Sequence, residues 1–278
     1  MNVQTSTTET SYILENELEG KKLNTQNASR NYRVIEDLNP SDYSILPNQK
    51  ILDAGSGTAE VTKFLLDENE GIQFEIHMSD VSKDRVDNGL IRIQNDPRVK
   101  YSIANLESLP YEANTFDKIF CRFVYQHLQN HQAVSNELFR VLKDGGELII
   151  IDVNGLMFDM VTDNQKLLSL MKKLKNGLTN FEPYVCGKIK GYLYKAGFQI
   201  NHIKTTTRYM QFITPKDREN ESKLFNERFI QIAPTLQSIL GQDTNDFIKL
   251  FCSEVINPNS YMEYDKKIIR AIKTQIFN

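Results

Sequence analysis

The chain has 278 residues, 40% hydrophobic and 25% charged, which excludes collagen-like, mucin-like and wholly disordered classes and leaves a core that needs no staples. Thirty-three Lys and Arg against 36 Asp and Glu give a formal charge of −3, so attraction to nucleic acid or to an anionic membrane is not the expected mode of action. Cys121, Cys186 and Cys252 are far apart and form no C-x-x-C pair, which argues against zinc and disulfide frameworks and for a reduced, cytoplasmic setting.

Residues 1–10 are polar and Thr-rich, read as a tail, and show no basic-then-apolar leader pattern, so the protein is expected to start here and stay inside. Tyr12 to Leu38 carries broken apolar stripes that fit two helices ending at Asn39-Pro40. An alternating series follows: strand Ile51–Ala54, helix Ala59–Glu68, strand Gln73–Met78, helix Lys83–Gln94, strand Val99–Ala104, strand Phe116–Cys121, helix Gln132–Leu142, turn Gly145-Gly146, strand Glu147–Asp152. Strands separated by helices at this spacing require crossovers and a parallel, doubly wound sheet covered on both faces, with ligands outside the carboxyl ends of its strands. After Asp152 the pattern loosens. A helix is expected around Gln165–Leu174, another over Lys188–Ala196 closed by Gly197, a strand at Phe198–Ile203, helices through residues 216–256 and a last strand at Lys266–Ile272. No apolar run approaches the ~20 residues of a membrane span.

The chemistry concentrates in Ile51-Leu52-Asp53-Ala54-Gly55-Ser56-Gly57-Thr58-Ala59-Glu60. An apolar strand runs into two glycines spaced by one residue, and a helix follows. Such glycines permit a tight turn and close approach of a ligand to backbone N–H groups. By itself this turn is equally a plain strand-to-helix connection. A nicotinamide dinucleotide site would want a small residue where Glu60 stands. Asp80, at the end of the second strand, suits the paired hydroxyls of a ribose, or else caps the helix that starts near Lys83. Asn105, followed by Leu106, fits an adenine edge and face, or else a turn.

Ile51–Glu60, Asp80, Asn105–Pro110, Phe116–Ile119 and Arg140–Gly146 together resemble the successive motifs of Rossmann-like, class I S-adenosylmethionine-dependent methyltransferases over about residues 45–155. Tyr12–Gln26 and Cys121–Leu128 resemble a bacterial small-molecule subgroup. Ala59 stands where that family usually has a third glycine, and Asn105 where Asp is common. The resemblance implies a mostly parallel seven-stranded sheet with helices on both faces. It implies an N-terminal tail and lid helices over residues 1–44, a cofactor core over 45–155, and the rest of the sheet with a helical acceptor-binding cap over 156–278. Asp53, Gly55, Ser56 and Gly57 would hold the methionine end, and Asp80 with Val81 the ribose. Asn105 and Leu106 would hold adenine, and Cys121, Arg122 and Phe123 would lie beside the sulfonium. Tyr12, Gln26 and Arg30 would close over the cofactor.

In such chemistry the sulfonium is its own leaving group, so alignment of the acceptor dominates and a general base is needed only for a protonated nucleophile. His127, Tyr125 and His131 are the candidate bases. An acceptor pocket is expected from residues 153–190 and 205–262, with Met157, Phe158, Met160, Met171, Phe181, Tyr184, Tyr192, Tyr209, Met210 and Phe212 as candidate walls. No metal-spaced acidic or His cluster appears. The expected activity is methyl transfer to a small molecule by a monomer or homodimer, with S-adenosylhomocysteine as product. Transfer to tRNA or protein, or cofactor binding without transfer, are the alternatives.

Overall fold

A computed structural model describes residues 33–39, 43–212 and 214–274. The expectations for Tyr12, Gln26 and Arg30 lie outside the described residues. Within them the alternating series forms as β1 (Lys50–Ala54), α2 (Glu60–Glu68), β2 (Glu75–Asp80), α3 (Lys83–Arg92), β3 (Val99–Ile103), β4 (Phe116–Arg122), α4 (His131–Val141) and β5 (Leu142–Asn154), preceded by a single turn, α1 (Val34–Asp37). Capping chemistry sets the helix starts. Ser82 accepts from Arg85 N at 3.4 Å, and Asn130 from Ala133 N at 3.1 Å.

The strands join one sheet in which β1 pairs with both β2 and β4, β2 with β3, and β4 with β5, all parallel. The 12-residue β8 (Tyr261–Ile272) then runs antiparallel to β5 on one side and to β7 (Ile203–Gln211) on the other. The spatial order β3-β2-β1-β4-β5-β8-β7 is the expected seven-stranded sheet; a two-residue β6 (Met160–Val161) adds to β8 as the eighth strand. Side chains alternate across it. Ile119 and Cys121 face a core shared with Val134 and Leu138 of α4, whereas Phe120 faces the other side with Leu65 and Leu66 of α2.

The remaining helices are α5 (Gln165–Gly177), α6 (Cys186–Ala196), α7 (Pro215–Gln231), α8 (Ala233–Leu240) and α9 (Thr244–Ile256). The α6 helix backs the sheet, while α5, α7, α8 and α9 build a separate apolar cluster over it, the cap. That cluster includes Leu174, Phe225, Phe229, Phe247 and Phe251. The α7 helix starts on a full capping box: Thr214 Oγ1 accepts from Asp217 N at 3.1 Å, and Asp217 Oδ2 accepts from Thr214 N at 3.1 Å. One expected strand is displaced. Gly197, at φ 120°, ends α6, and Phe198 turns its ring edge-on to Phe139 with centroids 5.0 Å apart. The extended segment is instead Ile203–Gln211, whose Thr205-Thr206-Thr207 run pairs along β8.

Candidate active site

Strand order reverses between β1 and β4, and the chain leaving β1 turns through Gly55-Ser56-Gly57-Thr58-Ala59 into α2. Gly55, Gly57 and Ala59 are left-handed, with φ of 71°, 51° and 64°. Gly55 is required twice over, because a Cβ there would also lie 2.5 Å from Val124 Cγ2 in the chain leaving β4. The turn is tied to β2: Gly55 N and Ser56 N donate to Ser79 O at 2.8 and 3.0 Å.

Two buried carboxylates anchor this turn. Asp80 Oδ2 accepts from Gly57 N at 2.9 Å, and Oδ1 from Ser82 N at 3.0 Å. Asp53 Oδ2 accepts from Thr62 N at 3.1 Å and from Thr62 Oγ1 at 2.7 Å. Ala59, the N-cap of α2, makes no side-chain cap, so Asp53 supplies one from the neighbouring strand and sets a carboxylate at the positive end of the helix. Burial pushes the Asp53 carboxyl up to about 6 against the pull of those hydrogen bonds.

A third carboxylate, Asp152 at the end of β5, accepts from Gln126 N at 3.2 Å and from Val153 N at 2.9 Å. It is fully buried, and burial pushes it up to about 7. It holds the backbone of the turn after β4. Its sequence signal is a lone acid that closes the apolar run Leu148–Ile151.

Arg122, at the end of β4, lies on the cavity wall with its guanidinium carbon 4.1 Å from the Phe123 ring centroid. Its Nε and Nη2 donate to Asp37 Oδ2 at 2.9 and 2.8 Å. Lys266 Nζ of β8 donates to the other oxygen of Asp37. All three side chains are buried, and burial lowers the Lys266 pKa. Asp37 thus docks α1 against the end of β4 and offsets part of the positive charge there.

A cavity of about 360 Å³ opens from this turn into the cap. Asp53, Gly55, Ser56, Gly57, Asp80, Val81, Asn105, Leu106, Arg122, Phe123 and His127 all line it. The Asn105 Oδ1 accepts from Glu107 N at 3.0 Å, so the side chain serves its turn while standing on the wall. Ser56 Oγ, Thr58 Oγ1 and Gln126 Oε1 are buried and have no hydrogen-bond partner among the described residues, and all three residues line the same cavity.

Three expected site residues stand elsewhere. Cys121 is in the core beneath the sheet, because its neighbour Arg122 takes the cavity side and alternation sends Cys121 the other way. Burial pushes its thiol pKa up. Tyr125 is also fully buried, its hydroxyl 3.0 Å from Ser135 Oγ, and burial raises its pKa strongly, so it has neither the position nor the acidity of a base. His131 Nε2 lies 3.0 Å from Tyr125 O, and its ring stacks on Tyr192, outside the cavity. His127 is the expected base that reaches the wall, with its ring centroid 5.4 Å from that of Phe181.

Of the expected acceptor walls, Met157, Phe158 and Phe181 line the cavity. Met160, Met171, Met210 and Phe212 are instead packed inside the cap core, and Tyr209 is exposed. Tyr184 donates to Asp159 Oδ1 at 2.5 Å. The walls not anticipated are Leu174 of α5 and Leu178 just past it, Phe225, Arg228 and Phe229 of α7, Ile232 at the junction of α7 and α8, and Leu236 of α8.

Residues 52–150 match the family described as a methyltransferase domain. Over 111 residues the chain is 32% identical to the ubiquinone/menaquinone biosynthesis C-methyltransferase UbiE of Hydrogenovibrio crunogenus, an overlap of 39% of this chain and 43% of that one. It is 25% identical to the UbiE of Wigglesworthia glossinidia brevipalpis over 69% of this chain and 73% of the relative. The chain thus spans less than half the length of the first relative and about three quarters of the second. A phosphoethanolamine N-methyltransferase 2 of Haemonchus contortus, solved with phosphomonomethylethanolamine and S-adenosylhomocysteine, shares the fold at a TM-score of 0.59 and 18% identity, over 95% of this chain and 59% of that one. Residues 52–150 are thus similar to a methyltransferase domain, and the chain shares the fold of a solved methyltransferase.

Proposed function

We propose that the chain transfers a methyl group from S-adenosylmethionine to a small molecule. The observation that carries this reading is the left-handed Gly55–Ala59 turn, flanked by Asp53 and Asp80 where strand order reverses, sharing one cavity with the apolar cap. The orphaned Ser56, Thr58 and Gln126 oxygens on that wall fit a ligand rich in hydroxyl and amino groups. Asp80 would accept from the ribose hydroxyls through lone pairs that Gly57 and Ser82 leave over, since each carboxylate oxygen has two. Asp53 and the amides of Gly55 to Gly57 would hold the amino-acid end. Leu106 would cover adenine with Asn105 at its edge and Val81 beside the ribose, and Arg122 and Phe123 would flank the methionine chain.

The cosubstrate brings an electrophilic methyl group on a positively charged sulfur. What remains for the protein is to bind, to orient and to keep water out. The cap does the last with Phe123, Met157, Phe158 and Phe181. His127 stands where it would take a proton from an acceptor that carries one at neutral pH. Relatives named as ubiquinone/menaquinone biosynthesis C-methyltransferases support a small-molecule acceptor. Among the described residues no helix is long and apolar enough to cross a membrane, and a cytoplasmic setting is part of this proposal.

Calorimetric titration tests it. S-adenosylhomocysteine should bind and NAD should not. Asp80→Ala, with its fold checked by circular dichroism, should bind S-adenosylhomocysteine at least about 30-fold more weakly, as loss of hydrogen bonds to a charged group worth ~2 kcal/mol requires. Unchanged affinity in that variant would end the ribose assignment.

A further inference from the structure

We infer that Gln126 sets acceptor specificity: its side-chain amide is the hydrogen-bonding partner of a hydroxyl group carried on an otherwise apolar acceptor. The inference deepens the methyltransferase reading and rests on it for calling the occupant an acceptor. Sheet order divides the cavity. Asp80 and Asn105 follow β2 and β3 on one side of the Gly55–Ala59 turn, whereas Gln126 follows β4 on the other. Its backbone is pinned toward β5 and the cap. Gln126 N donates to Asp152 Oδ2 at 3.2 Å, and Gln126 O accepts from Glu182 N at 2.8 Å. The neighbours of those two anchors in the chain, Val153 and Phe181, line the cavity.

Both backbone groups of Gln126 are thus used, and its side chain is what the turn leaves for the cavity. The residue lines the cavity at 7% exposure, and its Oε1 is enclosed with no hydrogen-bond partner among the described residues. An enclosed amide without a partner carries a desolvation cost that folded chains rarely leave standing, and a ligand atom that hydrogen-bonds it offsets that cost. A half-turn about the last side-chain bond exchanges Oε1 and Nε2, so the amide can accept or donate. A hydroxyl does both and matches it in either orientation. The other polar side chains on the cap-side wall are engaged within the protein. Gln129 Nε2 donates to Asn180 Oδ1 at 3.2 Å, Arg228 is coupled to Glu221 on the same helix, and the His127 ring stands beside Phe181. The rest of that wall is aliphatic and aromatic, which suits an apolar body with one hydroxyl.

The test uses the full chain with S-adenosylhomocysteine present and two fluorescent probes of one shape, 2-naphthol and 2-methylnaphthalene. An apolar pocket without a hydrogen-bonding partner prefers the methyl compound, as an apolar solvent does. The wild-type protein should instead bind naphthol more tightly. In Gln126→Leu the ratio of naphthol to methylnaphthalene affinity should fall about tenfold or more, while S-adenosylhomocysteine affinity stays within about threefold. Gln126→Met should give the same readout and serves if Gln126→Leu does not fold. A wild-type protein that prefers the methyl compound, or an affinity ratio unmoved in the variants, overturns the inference. A loss of S-adenosylhomocysteine affinity that matches the loss of naphthol overturns it too, and gives Gln126 to the cosubstrate. Binding of S-adenosylhomocysteine without selectivity for the hydroxyl would sink this inference and leave the methyltransferase reading standing. Selectivity without S-adenosylhomocysteine binding would do the reverse.

Discussion

The two halves of the cavity are built by different means. Around Gly55–Ala59 the wall is backbone held by buried carboxylates: Asp53 caps α2, Asp80 fixes Gly57 and Ser82, and Asp152 fixes the turn after β4. In the cap the wall is aromatic and aliphatic, drawn from helices tens of residues apart and packed through contacts such as Phe229 on Phe251 at 5.1 Å. The first kind of wall is set by local chain geometry and tolerates little change. The second is set by volume, and volume can be kept by many sequences. A family can therefore retain one half while the other drifts with the acceptor, which agrees with a family match confined to residues 52–150.

If that contrast holds, charge edits should strike the carboxylate-built half and spare the other. The largest expected effect follows from Asp37→Ala. It leaves Arg122 and Lys266 buried against each other with no carboxylate between them. Removing one partner of a buried charge cluster costs about 3–5 kcal/mol. The urea midpoint should fall accordingly, and S-adenosylhomocysteine should bind more weakly. A loss below about 1 kcal/mol, or unchanged S-adenosylhomocysteine affinity, would mean that Asp37 does not hold this half of the cavity together.

A pH series sharpens the same contrast with a smaller effect. In an unfolded chain the carboxyls of Asp53 and Asp152 titrate near 4. In the folded chain burial holds them at about 6 and about 7. The folded state binds these protons more tightly, so their contribution is fully present below about pH 4 and is lost as pH rises through 7. The tie at the cap's edge has the opposite sign. Hydrogen bonds from Ser260 first, then Thr162, Asn164 and Asn257, hold Glu254 at about 2, so its contribution is present above about pH 4 and is lost on acidification. Unfolding free energies from urea titrations between pH 5 and 8 should thus decline by an amount on the order of a few kcal/mol, with a shallower decline in Asp152→Asn. Parallel profiles for the two proteins would show that Asp152 is ionised throughout.

The same division explains what the amino-acid order made legible. The glycine pair and the acid 23 residues after Gly57 are local or evenly spaced features, and the fold joins them by one hydrogen bond. The parallel strands β1 to β5 were legible from alternation, whereas β7 forms at Ile203–Gln211 and not at the expected Phe198–Ile203, and the count of seven came with the family resemblance. Cys121 and Tyr125 were misplaced because nearness to a strand end in the chain does not say which face a side chain takes; the parity that puts Arg122 on the cavity puts Cys121 in the core. The Asp37–Arg122–Lys266 cluster joins residues up to 229 positions apart, which no periodicity encodes. Arg228 was hidden for another reason. Nearly half of α7 is charged, and one more arginine in Pro215–Gln231 reads as solvated face until the fold shows which stripe is buried.

The smallest effect concerns Ala59, a departure from the family's usual glycine that the fold absorbs at one point. Ala59 is fully buried and left-handed at φ 64°, a conformation that costs an L-residue roughly 1–2 kcal/mol. Across from it α3 carries Gly89, where an added Cβ would come within 3.1 Å of Ala59 Cβ and 2.8 Å of Met78 Cε. The methyl group of Ala59 thus fills space that Gly89 leaves open. Ala59→Gly relieves the strain but forfeits a buried methyl worth about 0.8 kcal/mol and loosens the unfolded chain, so its net effect should stay within about 1 kcal/mol. Gly89→Ala overpacks the contact at a cost of ~1–3 kcal/mol, less the ~1 kcal/mol that alanine gains in a helix interior. Made together, the two substitutions exchange the methyl group from one side of the contact to the other, and the pair should be more stable than the sum of its parts by about 1 kcal/mol. A double-mutant cycle by urea unfolding measures that coupling. Strict additivity would mean that α3 shifts freely away from the turn, and that the left-handed alanine is tolerated for some reason other than the glycine facing it.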